Sequence, residues 1–141
     1  MIDFVKMREL IKQEERYRWA IERQEARATK ITAALSKSGR SGSGKTGSQV
    51  EDGAIELAPL RQEYKEIKDE LDAMKAELRI CVARIRAPKY RLEKTCLRMR
   101  YLQGISVRKI AAMLNYSEQY LFRTMRDAER RIIVIQGGKD Q

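Results

Sequence analysis

The 141-residue sequence contains no histidine and only two cysteines, two prolines and one tryptophan, and aromatic residues make up just 6% of it. Without histidine, the commonest general base and the commonest metal ligand are both missing. Cys81 and Cys96, 15 residues apart, cannot close a zinc site by themselves. Catalytic triads, zinc fingers and zinc hydrolases are therefore excluded, and no metal, cofactor or catalytic residue is expected. The scarcity of aromatics beside 35% charged residues argues against a strand-rich fold and for long, solvent-washed helices. A chain of this length holds one domain or two small modules and no large enzyme core. The longest aliphatic run, Ile132 to Ile135, is too short to span a bilayer, and Met1-Ile2-Asp3-Phe4 has neither the basic flank nor the apolar stretch of a signal peptide. The expected setting is the cytosol, with both thiols reduced and no membrane partner.

What is abundant is positive charge, +10 net, and it is unevenly placed. Residues 1–53 contribute +3, residues 54–87 are neutral and residues 88–141 contribute +7. A basic end on a neutral helical body suggests a polyanion docking at that end; the competing explanation is a solvated surface that keeps the chain soluble.

From Ile2 to Leu35 there is no glycine or proline. Met7, Leu10, Glu14, Tyr17, Ile21, Gln24, Ala28, Ile31 and Leu35 recur at alternating spacings of three and four, so residues 1–35 read as one long helix with an imperfect seam. Residues 36–53 hold Gly39, Gly42, Gly44, Gly47 and Gly53 among Ser, Lys and Thr, a composition expected to form a flexible linker. Beyond it, Pro59 suits a first helical turn. Leu57, Leu60, Tyr64, Ile67, Leu71, Met74, Leu78, Cys81 and Ile85 then repeat without a miss over four heptads, which predicts a coiled-coil helix over 54–87 that stops before Pro88.

With Leu57 at position a, Glu63, Glu70 and Glu77 fall at g and Arg61, Lys68 and Lys75 at e. A parallel pair sets Glu63 against Lys68 and Glu70 against Lys75, whereas an antiparallel self-pair sets like charges together. The pattern favours a parallel homodimer, with the nine apolar positions as its dimerisation seam. The alternative is an intramolecular hairpin in which the first helix folds back along 57–87.

Gly39-Arg40-Ser41-Gly42-Ser43-Gly44-Lys45-Thr46 matches the phosphate-loop pattern G-x-x-x-x-G-K-[ST]. Such a loop works because it joins a buried strand to a helix, so that backbone N–H groups converge on the phosphates. Upstream lies a polar helical stretch, downstream Gly47-Ser48-Gln49 stands where the helix should run, and no later strand ends in a magnesium-binding Asp. The string follows from linker composition, and no nucleotide is expected.

Residues 88–136 divide into three amphipathic helices, followed by a tail at 137–141. The first places Leu92, Thr95, Cys96, Met99 and Leu102 on one face and ends at Gln103-Gly104. The second is capped by Ser106 and carries Val107, Ile110, Ala111 and Leu114. A turn at Asn115-Tyr116 leads to Ser117, the cap of a third helix with Leu121, Met125, Ala128 and Ile132 inward. A two-turn helix, a tight turn and a longer capped helix make a helix-turn-helix, whose second member enters the major groove N-terminus first. The expected fold class is thus all-α: a long helical, coiled-coil N-terminal part followed by a three-helix helix-turn-helix domain.

The stretch Cys96-Leu97-Arg98-Met99-Arg100-Tyr101, then Gly104-Ile105-Ser106-Val107-Arg108-Lys109-Ile110-Ala111, then Ser117 to Ile132, resembles the last DNA-binding domain of bacterial sigma factors, over roughly the final 45 residues. No counterpart of the promoter-melting sigma domain accompanies it. The whole arrangement resembles small phage transcriptional regulators of the ArpU and RinA kind. That resemblance implies an activator of late phage genes in the bacterial cytoplasm at the nucleoid, with double-stranded DNA as partner and host RNA polymerase as a further candidate. It places Glu118, Gln119 and Arg123 at base edges, and the chemistry agrees, since Arg forks onto guanine, Gln onto adenine, and Glu accepts from cytosine. Tyr120, Thr124 and Arg126 share that outer face, Arg108 and Lys109 fall where such domains meet the backbone, and Ser117, like Ser106, brings a helix N-terminus towards phosphate. Solvation accounts equally for each charge taken singly, and for Glu118 so does its place in a first helical turn. The main alternative role is a phage small terminase subunit recognising the packaging site; a phosphate-loop enzyme and a pure coiled-coil adaptor are further rivals.

Overall fold

The computed structural model describes residues 1–38 and 44–138, with side chains over 1–30 and 57–138. It is all-helical, and no strand occurs among the described residues. Helix α1 spans Phe4–Ser38 and α2 spans Gly44–Arg84. A 3₁₀ turn at Pro88–Tyr90 leads into α3, Arg91–Leu97, which runs on through a π-helical turn at Arg98–Leu102; α4 covers Val107–Leu114 and α5 covers Glu118–Gln136. No helix among the described residues is long and apolar enough to cross a membrane.

The segment expected to be a linker is shorter than its composition suggests. Residues 36–38 close α1 and residues 44–53 already belong to α2, while 39–43 and 139–141 lie outside the described residues. Extending an existing helix adds one hydrogen bond per residue without a new nucleus, which lets weak helix formers be recruited. Pro59, expected in a first turn, consequently lies inside α2. Its missing N–H costs a helical hydrogen bond, but the residue is exposed, on the side of the helix open to water. Helix α2 ends at Arg84, close to the predicted stop and one residue before the last heptad position, Ile85, with Pro88 opening the 3₁₀ turn.

The chain forms two compact units, Met1–Ile11 with Glu70–Gln141, and Lys12–Asp69. In the second unit, α1 and α2 run antiparallel. Tyr64 donates to Glu14 at 2.9 Å, Arg61 pairs with Glu25 at 3.1 Å, and the Tyr17 hydroxyl, hydrogen-bonded to Glu63, is held above its ordinary pKa. The seam positions Glu14, Tyr17, Ile21, Gln24 and Ala28 of α1 and Leu60, Tyr64 and Ile67 of α2 are the half-buried ones, with Leu57 buried.

The first unit holds the deeper core. Leu71, Leu78, Cys81 and Val82 of α2 and Ile85 just beyond it are buried, as are Ile2, Phe4, Met7 and Leu10, and Lys6 pairs with Glu70 at 2.6 Å. Within one chain Leu57, Leu71, Leu78, Cys81 and Ile85 of the heptad seam are buried while Leu60, Tyr64, Ile67 and Met74 are half-buried, and the g-position Glu70 has a partner on α1. The N-terminal turns of α1 and the heptad positions from Leu71 to Ile85 share one core. In the C-terminal part the expected Cys96 and Met99 are buried, whereas Leu92, Thr95 and Leu102 are only half covered, and Leu97 and Tyr101 take their place in the core. The helix closes in a π turn, in which the Gln103 N–H reaches back five residues to the Arg98 carbonyl at 3.0 Å and widens the last turn. Gly104, at φ +72°, then reverses the chain in a region other residues enter at a cost.

Tyr101 ties the unit together. Its hydroxyl donates to Glu129 of α5 and accepts from the Arg8 guanidinium of α1 at 2.8 Å, Arg8 also pairs with Glu129 at 2.8 Å, and the ring packs 5.0 Å from that of Phe4. Burial, and then the Glu129 carboxylate, push the Tyr101 hydroxyl well above its ordinary pKa. A second clamp joins α3 to α5: Arg131 binds Glu93 at 2.7 Å and lies over the Tyr90 ring at 3.5 Å. Burial raises the pKa of both thiols, Cys81 and Cys96, in keeping with their use as small apolar groups.

Candidate nucleic-acid interface

Helices α4 and α5 are set by their ends. Ser106, extended at φ −68° and ψ 152°, accepts from the Lys109 N–H at 3.3 Å, and Ser117, at φ −71° and ψ 150°, accepts from the Tyr120 N–H at 3.1 Å. Both serines are the caps that the sequence predicts. Between them Asn115 adopts the left-handed conformation, φ 62° and ψ 44°, and Tyr116 N–H closes onto the Ala111 carbonyl at 3.0 Å. Asparagine is among the few side-chain-bearing residues that enter this region readily. The connection from α4 to α5 is therefore three residues long and tight.

Burial then fixes which face of α5 is outward. Leu121, Met125, Ala128, Ile132 and Ile135 are buried at alternating spacings of four and three, and meet Val107, Ile110 and Ala111 of α4 in the same core. At 100° per residue, the opposite face carries Gln119, Arg123, Arg126 and Arg130, all exposed, with Asp127 at its margin. Three guanidiniums thus project in a row, each about one turn from the next.

The other expected residues are distributed around this row. Glu118 lies in the first turn of α5, its carboxylate 3.4 Å from Arg108 of α4; both side chains are exposed, so the pair contributes at most about 1 kcal/mol and restrains rather than locks either one. Arg108, expected at the nucleic-acid backbone, thus has an internal partner in this state. Lys109 is exposed beside it. Tyr120 stacks on Tyr116, with ring centroids 5.3 Å apart and planes inclined by 24°. Thr124 is half-buried and donates its hydroxyl to the Tyr120 carbonyl at 3.0 Å, leaving it only accepting capacity towards a ligand. Ser117 spends its hydroxyl oxygen on the cap.

Two contributors escaped the sequence reading. Arg130 continues the spacing of Arg123 and Arg126 and was legible in the helical period. Tyr116 was not, because its stacking on Tyr120 depends on the left-handed turn at Asn115. No group of histidine, cysteine or carboxylate side chains that could hold a metal occurs among the described residues. The phosphate-loop string begins at Gly39, outside the described residues, but Gly44, Lys45 and Thr46 form the first turn of α2. The helix judged absent after the string is therefore present. Upstream, the chain arrives from helix α1, which ends at Ser38, rather than from a strand. Compared with known proteins, the chain matches no family model, no curated protein and no solved structure.

Proposed function

We propose that this protein is a sequence-specific DNA-binding transcriptional regulator, and that α4, the Asn115 turn and α5 act as a helix-turn-helix with α5 as the reading helix. The observation that carries the proposal is the face of α5: Gln119, Arg123, Arg126 and Arg130 stand in one exposed row opposite the buried stripe, on a capped helix reached by a tight turn. Arg and Gln at the N-terminal end suit base edges, and arginines further along suit phosphates. The exposed Tyr116–Tyr120 pair offers apolar contact to thymine methyl groups at the start of the same helix. Activation of late phage genes, with host RNA polymerase as a further partner, is the role implied by the resemblance of the whole arrangement to small phage regulators of the ArpU and RinA kind.

A homodimer on two half-sites fits the heptads, and the reading of α5 does not depend on it. Sedimentation of the parent chain at micromolar concentration distinguishes a dimer from a monomer. The DNA-binding reading is tested by footprinting across the upstream regions of the protein's own genome at stated salt. Arg123→Ala is expected to cost about 1–3 kcal/mol at a matched site and to relax preference at one base pair. Equal losses on matched and random duplexes would contradict base readout by Arg123.

A further inference from the structure

The chain's single tryptophan lies where no intramolecular packing needs it. Trp19 is 58% exposed on α1, on the face opposite Glu14, Tyr17, Ile21, Gln24 and Ala28, the positions that α1 turns inward. Around it, Lys12, Glu15, Arg16, Ala20 and Arg23 line a shallow depression of about 420 Å³. None of the three cations there pairs with a carboxylate among the described residues. An exposed indole gives up a large apolar area to water, and Trp beside Arg is the composition most enriched where protein partners bind tightly.

We propose that this stripe of α1 is a docking site for an acidic amphipathic helix of another protein. Lys12, Arg16, Trp19 and Arg23 follow one another at four, three and four residues, the spacing of a seam along which a second helix lies. Three cations against one carboxylate give the seam a positive rim around a central apolar anchor. Its complement is a helix with an apolar residue at its middle and Asp or Glu one turn to either side. A second copy of the same stripe does not qualify: antiparallel pairing brings Arg16 against Arg23, and parallel pairing brings each cation against itself. Nucleic acid fits less well, because Glu15 within the depression would face phosphate, and a lone indole lacks the succession of aromatics on which bases stack. The site is separate from the α5 face and does not rest on the DNA-binding proposal.

The test uses the full chain and a fluorescein-labelled synthetic helix of about 20 residues, with a leucine seam flanked by Glu and Asp. Saturable binding is expected by anisotropy, weakening with salt, together with a blue shift of Trp19 emission. The affinity should fall roughly tenfold or more in Trp19→Ala and in R16E/R23E. Because these side chains are exposed, unchanged helicity by circular dichroism checks that the variants remain folded. A peptide with Lys in place of every Glu and Asp should not bind. The proposal is overturned if the acidic helix shows no saturable binding up to about 1 mM, or if Trp19→Ala binds it as well as the parent protein does. It is overturned in favour of a second copy if Trp19→Ala converts a dimer to a monomer in sedimentation, and in favour of nucleic acid if R16E/R23E abolishes binding to a random oligonucleotide while leaving the peptide untouched.

Discussion

Phe4 is 87 residues or more from every part of α3, α4 and α5 in sequence, yet its ring packs on Tyr101, which is itself fully buried against α5. Phe4→Ala removes a side chain that is only 6% exposed. Truncating a buried phenylalanine to alanine costs about 3–5 kcal/mol, from lost transfer free energy and the cavity left behind. About 0.5–1.5 kcal/mol of that comes from the tilted ring pair with Tyr101. Set against a typical domain stability of about 5–15 kcal/mol, the substitution removes a large part of the reserve of the unit that carries α5. With a urea slope of about 2 kcal/mol/M, the unfolding midpoint should fall by about 1.5–2.5 M, and far-UV circular dichroism measures it. The stronger form of the same argument removes residues 1–11 altogether. Ile2, Phe4, Met7 and Leu10 are all buried, and losing them at about 1.5–3 kcal/mol each amounts to about 6–12 kcal/mol, comparable with the whole stability of a domain. A fragment that begins at residue 12 is therefore expected to lack a cooperative transition in this unit and to bind DNA poorly. A midpoint shift below about 0.5 M for Phe4→Ala, or a fragment that melts cooperatively with native helicity, would refute the reasoning.

Other consequences follow from single positions. Asn115→Ala should cost about 1 kcal/mol, because alanine lacks the local hydrogen bonding that lets asparagine occupy φ 62°, while Asn115→Gly should be neutral or mildly stabilising; thermal melts separate the two. Arg131→Ala leaves the largely buried Glu93 carboxylate without its 2.7 Å partner and uncovers Tyr90, and should cost about 2–3 kcal/mol by chemical denaturation. Stability should also decline in alkali. Burial raises the pKa of Cys81, Cys96 and Tyr101 in the folded chain, so their contribution is complete below the unfolded values, about 8.5 for thiols and about 10 for tyrosine, and is lost as pH rises through the folded values. Urea midpoints at pH 7 and pH 10.5 measure this, and C81A/C96A should flatten the part of the decline nearest pH 9; an unchanged slope in that variant would remove the thiols from the account.

Much of the fold was legible because helices write their geometry locally. Ser106 and Ser117 announce two N-caps, Asn115 and Gly104 mark left-handed ends, and the four-three spacing of Leu121, Met125, Ala128 and Ile132 identifies the inward face of α5 and hence, by elimination, the outward row of Gln119, Arg123 and Arg126. The inward positions of α1 from Met7 to Ala28 were readable for the same reason. Glycine content misled at 44–53, because propensity is a weak prior against extension of an adjoining helix. The π turn at 98–102 was equally invisible, because one additional residue in a turn leaves the apolar pattern almost unchanged.

The sequence by itself determined that the chain is helical, where most of its helices begin and end, which side of each is apolar, and that the excess positive charge lies in the last third. These are properties of neighbours within a few residues, governed by capping, period and composition. Tertiary structure decided what each apolar side meets. The heptads of α2 specify a helical partner without saying from which chain it comes, since leucine on a partner strand and methionine on α1 bury the same area. Here the first unit places Met7 and Leu10 in the core with Leu71 and Leu78, and draws Arg8 to Tyr101 and Glu129 across more than 90 residues of sequence. That choice makes the first eleven residues part of the unit that presents α5, a connection no local pattern contains because its energy resides entirely in long-range packing.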